Sequence, residues 1–409
     1  MRSIFIVTLL LLVTYPEVNA QQFRRIWGTI TSSETLEPLS FAGIKLKNGR
    51  KGIISNENGE FFFRIPSNAL SDTLIFSYLG YEPVLVAITD MSSDTLEIVL
   101  YPHLYQLQEV TKQFLSPTSL LRQSLAKIPE NYPDTIMGMT AFYRENIKEN
   151  GQPIQMIEAV IGIQKSSYSN SKKRDRMMIL KGHQSSRIRP SRLWSYVNFV
   201  DGPYESLESD VCKYPSGFIT LPKTRFNFLN PRHFKHFEYH LLDDPDSMNS
   251  DYYVVRFIPL SGRRRGALEG EIFIDKNSLA IVRMDYRINP YHVLRTSVID
   301  YNTKEELDNL GIYTQTKSFE CSIHYFPYKG KWYFNNVYIN YQFHLLWLDD
   351  SYLAEINNTI NFVVTDFGKE LVHPIKAGNQ IRRRFPLTVQ LGIPDEAFWE
   401  NYNFIIKEK

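Results

Sequence analysis

Short runs of β-branched and aromatic residues recur along the chain, and turn residues separate them. Between Trp27 and Leu100 the runs come every eight to twelve residues, with Asn48-Gly49 and Asn58-Gly59 among the turns. Strands of this length and spacing are typical of an all-β sandwich. The pattern predicts seven strands, near Trp27–Thr31, Gly43–Lys47, Gly52–Ser55, Glu60–Ile65, Thr73–Ser77, Glu82–Ile88 and Thr95–Leu100.

The composition is that of a globular chain with balanced charge. The 409 residues include 46 Lys and Arg against 44 Asp and Glu, a net charge of +2, and 43% are hydrophobic. This balance gives no electrostatic reason to expect nucleic acid or an anionic membrane as the main partner. The length predicts two or three domains. Two cysteines are too few for a disulfide scaffold or a Cys-rich zinc module.

The first twenty residues have the pattern of a secretory signal peptide. Arg2 precedes the apolar run Ile4–Val13, and small residues stand at Val18 and Ala20. A positive start, a short apolar segment and small residues before the cleavage point define such a signal. We therefore expect export with cleavage after Ala20. No later stretch reaches about 18 apolar residues, so we expect no integral membrane segment after signal removal.

A set of motifs in the first strands identifies a family. The set comprises a Gly-led first strand, a Pro-Leu-x-x-Ala step, a turn ending in Asn-Gly-x-Phe and a Ser-x-x-Gly-Tyr corner. These positions are Gly28, Pro38-Leu39, Ala42, Asn58–Phe61 and Ser77–Tyr81. The set resembles the carboxypeptidase-regulatory-like module, which implies a transthyretin-like Greek-key β-sandwich without catalysis of its own.

The enzyme that this module accompanies is not indicated by the sequence. A zinc carboxypeptidase needs a His and a Glu three residues apart. None of the nine His residues has Glu at that position. We therefore assign no catalytic residue, no metal ligand and no cofactor.

A helix is predicted to lead into a second, larger β domain. Ser116 is a favoured N-cap and Pro117 a favoured first helical residue, and apolar residues then recur on one face, so we predict a helix over Ser116–Ile128. A second short helix is predicted near Asp395–Tyr402. The strands predicted between them are Met139–Asn146, Gln155–Gln164, Phe234–Leu242, Asp251–Pro259, Glu269–Asp275, Ala280–Ile288, Tyr313–Phe326, Trp332–Leu345 and Ala354–Asp366.

Two of these segments have the pattern of β-hairpins. Tight turns are predicted at Lys276-Asn277 and at Asn335-Asn336. Long strands joined by short polar turns favour an antiparallel meander. The predicted fold class is mainly β: a Greek-key sandwich and a larger antiparallel β domain, with a half-barrel as one form, and a few helices. The expected divisions are 1–20 signal peptide, 21–103 sandwich, 104–133 linker and amphipathic helix, and 134–409 β-rich domain.

The second domain also resembles known sequences. The stretches "SLLRQSLAKIPENYP", "FYRE", "EAVIGI" and "FWENYN" resemble the uncharacterised region that follows this sandwich in envelope proteins of Gram-negative bacteria. That resemblance implies a periplasmic or outer-membrane-associated protein. The hairpin from Gly270 to Ile281 is similar to the lipoprotein-carrier and lipoprotein-receptor half-barrels, which implies a curved sheet whose apolar concave face is covered by helices.

Arg144 and Glu158 are the candidate polar anchor. Both lie in strongly β segments, and a charge on an otherwise apolar strand face must pair or face a cavity. One interpretation is a polar anchor within a ligand cavity. The alternative is a structural ion pair at the sheet edge.

Three further sets of residues suggest chemistry and have plainer interpretations. His233, His236 and His240 would share a helix face and could bind a metal, but strand alternation favours a solvated strand face. The triplets Arg263–Arg265 and Arg382–Arg384 could bind phosphate or anionic headgroups. Their loop-like contexts favour solvated turns.

The cysteines and several Asp-Ser/Thr patterns add candidate modifications. Cys212 and Cys321 could form a disulfide after export, and two separate buried thiols are the alternative. The segments at Thr135 and Ser247 resemble an O-glycosylation acceptor pattern of some of these bacteria.

The sequence thus favours a non-catalytic envelope protein. The sandwich would be a docking module, and the second domain would bind a lipophilic or envelope-derived ligand, or a partner protein. We expect an apolar groove on one face of its sheet; the alternative is that loops such as Ser191–Leu229 close that face and leave a scaffold. The rival class is an envelope hydrolase acting on glycan or lipid.

Overall fold

The computed structural model describes residues 23–49, 51–103, 116–170, 173–184, 202–215, 224, 226–242, 251–260, 267–298, 301–348, 351–371, 374–383 and 385–402. The fold is mainly β, with 51% of the described residues in strands and 17% in helices. This confirms the predicted fold class. The signal segment 1–20 lies outside the described residues.

The sandwich contains all seven predicted strands. They are β1 (Phe23–Ser32), β2 (Gly43–Leu46), β3 (Gly52–Ile54), β4 (Glu60–Pro66), β5 (Thr73–Ser77), β6 (Val84–Ala87) and β7 (Thr95–Leu100). One sheet has the order β4-β1-β7 and the other β3-β2-β5-β6. Ile30, Phe61 and Phe76 are fully buried in the core of the sandwich.

Two glycines of the family motif have clear structural reasons. A Cβ at Gly28 would lie 1.8 Å from the Leu96 carbonyl oxygen, so only glycine lets β1 approach β7. Gly59 has φ 71°, the left-handed region in which glycine is unstrained. These two glycines of the motif therefore stand where a side chain would clash or strain the backbone.

The larger unit is one open antiparallel sheet of ten strands. Its order is β10-β9-β8-β17-β16-β15-β14-β13-β12-β11. Pairing of β8 with β17 joins two meanders and places the first and last strands of the domain side by side. The strands are β8 (Met137–Glu149), β9 (Gln152–Lys165), β10 (Arg176–Gln184), β11 (Phe237–Leu241), β12 (Tyr252–Pro259), β13 (Leu268–Asp275), β14 (Ile281–Ile288), β15 (Ile312–Tyr328), β16 (Lys331–Trp347) and β17 (Tyr352–Gly368).

Helices cover one side of this sheet, which we call the core face. Ala141, Ile161 and Ile339 lie on it within one large apolar cluster. Helices α1, α2 and α3 contact the sheet there, and the residues around Phe228 belong to the same cluster. The described helices are α1 (Pro117–Ala126), α2 (Ile128–Asn131), α3 (Gly202–Glu208), α4 (Tyr301–Asn309) and α5 (Glu396–Asn401).

The predicted helix over Ser116–Ile128 is present but divided. Ser116 caps α1 by accepting a hydrogen bond from the Ser119 amide at 3.2 Å. The helix ends at Ala126, and α2 starts at Ile128 with Pro129 in its first turn, where proline is tolerated. Asp395 caps α5 in the same way, through the Phe398 amide at 3.0 Å.

Several local predictions were wrong. Asn335-Asn336 is not a turn: β16 runs through it with a register shift, and the turn lies at Lys329-Gly330, where both φ values are positive. Phe234–His236 forms a 3₁₀ turn before β11. Strand β10 was not predicted, because a register shift between Ile179 and Lys181 breaks its alternation.

Candidate functional site

A continuous row of polar residues crosses the side of the sheet opposite the core face. Residues that stand directly opposite on antiparallel strands share a face. The pairings place one polar side chain on each of the ten strands, and we call this set the polar row. It runs His183, Glu158, Arg144, Asn361, Tyr338, Ser322, Asp285, Glu271, Arg256 and His240.

The structure brings Arg144 and Glu158 together at one end of the polar row. The Arg144 Nη2 atom lies 2.7 Å from Glu158 Oε1, and the side chains are 8% and 6% exposed. His183 Nε2 lies 3.3 Å from the other carboxylate oxygen. The ring of Trp399 from α5 lies 4.6 Å from the His183 ring. The pair is therefore a buried, hydrogen-bonded ion pair beneath α5.

The sandwich docks on the middle of the polar row. The Phe41 and Tyr338 rings have centroids 4.9 Å apart. Ile54 of β3 forms a small apolar cluster with Phe142 and Val363 beside this contact. These contacts join the sandwich to the large sheet.

Phe41 adopts a strained backbone conformation at this contact. Its φ is 62°, in the left-handed region. This conformation costs roughly 1–2 kcal/mol for a residue with a Cβ. Such strain persists where the surrounding contacts favour the conformation. The fold thus holds the Phe41 ring where it meets the sheet.

A cleft opens between the sandwich and the polar row next to this contact. Its volume is about 830 Å³, within the range of small-molecule sites. Ser40, Phe41 and Tyr78 form the sandwich wall. The floor is formed by side chains on the β12–β16 part of the sheet: Arg256, Glu269, Glu271, Arg283, Asp285, Arg287, Glu320, Ser322 and Tyr338.

The arginines of the floor are all engaged by carboxylates. Arg256 Nη2 lies 2.7 Å from Glu271 Oε1, and Arg287 Nε lies 2.8 Å from Glu269 Oε1. Arg283 Nε lies 2.7 Å from an oxygen of Asp285. The floor therefore presents hydrogen-bond donors and acceptors side by side without an excess of positive charge.

Ser322, Asp285 and His324 meet in the floor, but not in the order of a catalytic triad. The Ser322 hydroxyl donates to Asp285 Oδ1 at 2.5 Å, and His324 Nε2 lies 2.8 Å from the same hydroxyl. Burial, and then the charge of Arg283, hold the pKa of His324 well below its usual range, so the ring is neutral. A serine hydrolase needs histidine to accept the serine proton. Here that proton points to aspartate, so the arrangement favours structure over hydrolysis.

A buried charged cluster holds the segment after α3 against the core face of the sheet. Lys165 Nζ at the end of β9 lies 2.9 Å from Asp175 Oδ2 and 2.7 Å from Asp210 Oδ2. Asp210 follows α3 and also accepts hydrogen bonds from Tyr168 and Tyr325, each at 2.6 Å. The charges and hydrogen bonds of Asp175 and Asp210 raise the pKa of Lys165 despite its burial. Lys165 is therefore charged and fully paired.

A second buried carboxylate, Glu145, has neutral hydrogen-bond donors. Tyr143 donates to Oε2 at 3.1 Å and Asn358 donates to Oε1 at 2.8 Å. Burial raises the pKa of Glu145, and its hydrogen bonds oppose that shift only in part. Lys165 and Glu145 thus pack among the described side chains of the core face, beside the apolar cluster that α1, α2 and α3 contact. This packing matches the covered-face alternative, in which the 191–229 region contributes α3.

The residues predicted to form a disulfide, to carry a glycan or to mark the cleavage point lie in different surroundings. Cys212 and Cys321 are free and buried, so the observed arrangement is two separate thiols; Cys212 contacts Tyr132, and Cys321 lies on β15. Burial raises the pKa of both thiols to about 12. Thr135 is exposed between α2 and β8. Ala20 and Ser247 lie outside the described residues.

The histidine set does not converge on a metal position. His233 Nδ1 accepts from the Asn227 amide at 3.1 Å, and His236 packs on the Phe226 ring at 3.9 Å. Among the described residues no group of three His, Cys, Asp or Glu side chains has the arrangement of a metal site.

Of the two basic triplets, the structure describes part of the second. Arg263–Arg265 lies outside the described residues. Arg383 is not a solvated turn residue: it pairs with Glu208 of α3 and stacks over Tyr204 at 4.0 Å. It therefore helps to hold α3 in place.

The cleft residues were missed at the level of sequence. Charges alternate along the Gly270–Ile281 hairpin region, with Glu269 and Glu271 on one strand and Arg283, Asp285 and Arg287 on the next. That alternation was a usable signal for an outward polar face. Phe41 had no such signal, because its position depends on how the sandwich docks.

Comparisons with known proteins identify the sandwich. Residues 26–111 match the family model of the CarboxypepD_reg-like domain, which covers 86 of the 409 residues and confirms the resemblance. No curated protein matches the chain. Within the described ranges, none of the helices has the length and apolar character needed to cross a bilayer.

Solved structures with local likeness have low overall similarity. A LolA-superfamily protein from Nitrosomonas europaea is 9% identical, covers 66% of this chain and 99% of its own, and has a TM-score of 0.22. A DUF1329-family protein from Desulfovibrio piger is 9% identical, covers 63% and 93%, and scores 0.23. A putative membrane-associated protein from Bacteroides fragilis is 10% identical, covers 84% and 98%, and scores 0.16. At these scores the likeness carries no functional argument.

Proposed function

We propose that this chain is a non-catalytic binding protein of the cell envelope whose ligand lies in the cleft between the sandwich and the polar row. The cleft of about 830 Å³, lined by charged side chains next to the contact between Phe41 and Tyr338, is the observation that carries the proposal.

The position of the cleft changes the expected ligand. The sequence favoured a lipophilic molecule on the apolar face of the sheet, but helices α1 to α3 pack against that face. The cleft combines aromatic walls with a charged floor. It therefore suits an envelope-derived molecule with polar groups better than a bare acyl chain.

Envelope location is the other part of the proposal, and it rests on the signal pattern at Arg2, Ile4–Val13 and Ala20. Mass spectrometry of the mature protein would test it. We expect the N-terminus at Gln21. A protein that keeps Met1 in the cytoplasm would contradict the proposal.

The cleft can be tested by filling it. Glu320 lines the cleft and is exposed on β15, whereas Gln315 is exposed on the same strand outside the cleft lining. Thermal unfolding would be followed with three probes: neutral oligosaccharides, a lysophospholipid and short peptides. We expect at least one probe to raise the Tm of the wild type and of Gln315→Trp but not of Glu320→Trp. A Tm shift that persists in Glu320→Trp, or no shift with any probe, would contradict the cleft as the binding site.

A further inference from the structure

We infer that the cleft selects an uncharged, elongated oligosaccharide; this inference rests on the proposed function and names its ligand class. The charge of the floor is the first step. Arg256, Arg283 and Arg287 are each engaged by a carboxylate at 2.7 to 2.8 Å. The floor holds four carboxylates, those of Glu269, Glu271, Asp285 and Glu320, against these three arginines, so an anionic ligand would meet more negative than positive charge. A neutral ligand avoids this repulsion.

The second step is the chemistry of the paired groups. A sugar hydroxyl both donates and accepts hydrogen bonds, whereas an arginine only donates and a carboxylate only accepts. The Arg256–Glu271 pair presents both kinds of group side by side, with side chains 48% and 31% exposed. Adjacent hydroxyls of a sugar ring match such a pair because one can accept while its neighbour donates.

The third step is the aromatic wall. Phe41, Tyr78 and Tyr338 line the cleft and are each partly exposed. A tyrosine ring offers an apolar face and a polar end, so it can pack against the CH face of a sugar while remaining hydrated. Arg283 lies 5.9 Å from the Tyr78 ring and links this wall to the floor.

The shape of the floor favours a chain over a single sugar. From Tyr338 on β16 to Arg256 on β12 the polar row crosses four strand spacings, a distance of ~19 Å at the usual ~4.8 Å per strand. A peptide of that length is bound most readily by adding a strand at a sheet edge. The cleft instead lies over the middle of the sheet, where strands β13 to β15 have paired neighbours on both sides.

The test is calorimetry with the full chain and three neutral hexasaccharides: maltohexaose, cellohexaose and hexa-N-acetylchitohexaose. We expect at least one to bind, and an oligogalacturonate to bind at least about tenfold more weakly, because its carboxylates would face a floor with one more carboxylate than arginine; a tenfold change corresponds to ~1.4 kcal/mol. Binding should change little between low and high salt, since no ion pair forms with the ligand.

Paired substitutions locate the binding. Tyr78→Ala and Arg256→Ala should weaken binding about tenfold or more. Their controls are Tyr291→Ala, a tyrosine that is 92% exposed outside the cleft lining, and Arg24→Ala, whose pair with Asp94 lies on the sandwich. The controls should bind like the wild type, and circular dichroism would check that each variant folds.

The outcomes separate this inference from the proposed function. If Glu320→Trp abolishes binding of a peptide or lysophospholipid and no neutral oligosaccharide binds, the ligand class is wrong and the cleft remains the site. Preference for the charged oligosaccharide also overturns the ligand class. If no probe depends on Glu320, both proposals fail.

Discussion

The rings of Phe41 in the sandwich and Tyr338 in the large sheet pack at a tilt of 34° with centroids 4.9 Å apart, and this contact joins the two β units of the protein. Tyr338 stands in the polar row, so the contact also sets one end of the cleft. Because Phe41 has a left-handed φ, the energy gained from this ring packing is partly offset by the cost of the backbone strain. Contact and cleft therefore depend on the same residue.

Phe41→Gly should loosen the sandwich from the sheet. Glycine removes the left-handed strain but also removes the ring, whose burial and stacking are worth roughly 1–3 kcal/mol. We expect faster amide exchange at Ile54 and Tyr338, measured by hydrogen–deuterium exchange. Leu36→Gly is the matched control, because Leu36 has φ 58° but is 77% exposed. It should leave exchange at the contact unchanged and stabilise the protein slightly. Equal exchange in both variants would mean that Phe41 does not hold the units together.

Lys165→Met should destabilise the protein by about 3–5 kcal/mol, because it leaves Asp175 and Asp210 buried without their cation. Urea unfolding would measure the loss. The matched control is Lys317→Met, whose pair with Glu355 is exposed and should be worth less than about 1 kcal/mol. Adding Asp175→Asn and Asp210→Asn to Lys165→Met should recover part of the loss. A single variant as stable as the control would contradict the role of the buried cluster.

Glu145→Gln should change how stability depends on pH. Burial raises the pKa of Glu145 above its usual value of 4.5, so the folded state holds this proton to a higher pH than the unfolded state. Its contribution to stability is therefore full below about pH 4.5 and is lost as pH rises through the folded pKa. We expect the stability of the variant relative to wild type to increase from pH 4.5 to 8, measured by urea unfolding at each pH.

The control for this experiment is Glu355→Gln, because the hydrogen bond and charge of Lys317 lower the pKa of Glu355. Its pH dependence should have the opposite sign, with the wild type favoured more at higher pH. The groups around Glu145 are Tyr143 and Asn358, with Glu205 of α3 acting on Tyr143 through its charge. A flat difference for Glu145→Gln would show that its pKa is not shifted.

Residues 21–103 should fold without the rest of the chain. The core of the sandwich, with Ile30, Phe61 and Phe76, is separate from the core of the large sheet. We expect dispersed amide NMR shifts from the isolated fragment. Phe61→Ala should abolish that dispersion, because it removes a fully buried ring. Trp27→Ala should leave the dispersion unchanged, because Trp27 is 46% exposed. A disordered wild-type fragment would place the domain boundary elsewhere.

Local pattern was enough to predict most of the elements. The seven sandwich strands and nine of the ten sheet strands follow from alternation and turn residues, and Ser116 and Asp395 indicated where helices begin. These signals are local because burial of one strand face repeats every second residue and a cap acts within one turn. The exception, β10, has a register shift that interrupts its alternation.

The cleft could be predicted only in part. Alternating charges at Glu269, Glu271, Arg283 and Asp285 indicate a polar sheet face, and Arg144 and Glu158 indicated a pair. The polar row forms only if β8 pairs with β17, a strand about 200 residues away in the sequence. It also requires the correct register in each of the nine strand pairings. A one-residue slip in any pairing would move a polar side chain to the core face.

The sequence by itself determined the β class, the motif of the sandwich and the alternation that gives each strand its two faces. Tertiary structure alone decided that Phe41 meets Tyr338, that Lys165 meets Asp210, and that the core face is packed under α3. The physical reason is range: alternation and capping are set by neighbours within a few residues. Contacts between distant residues depend on how strands pair and how the two units dock, which no short segment encodes.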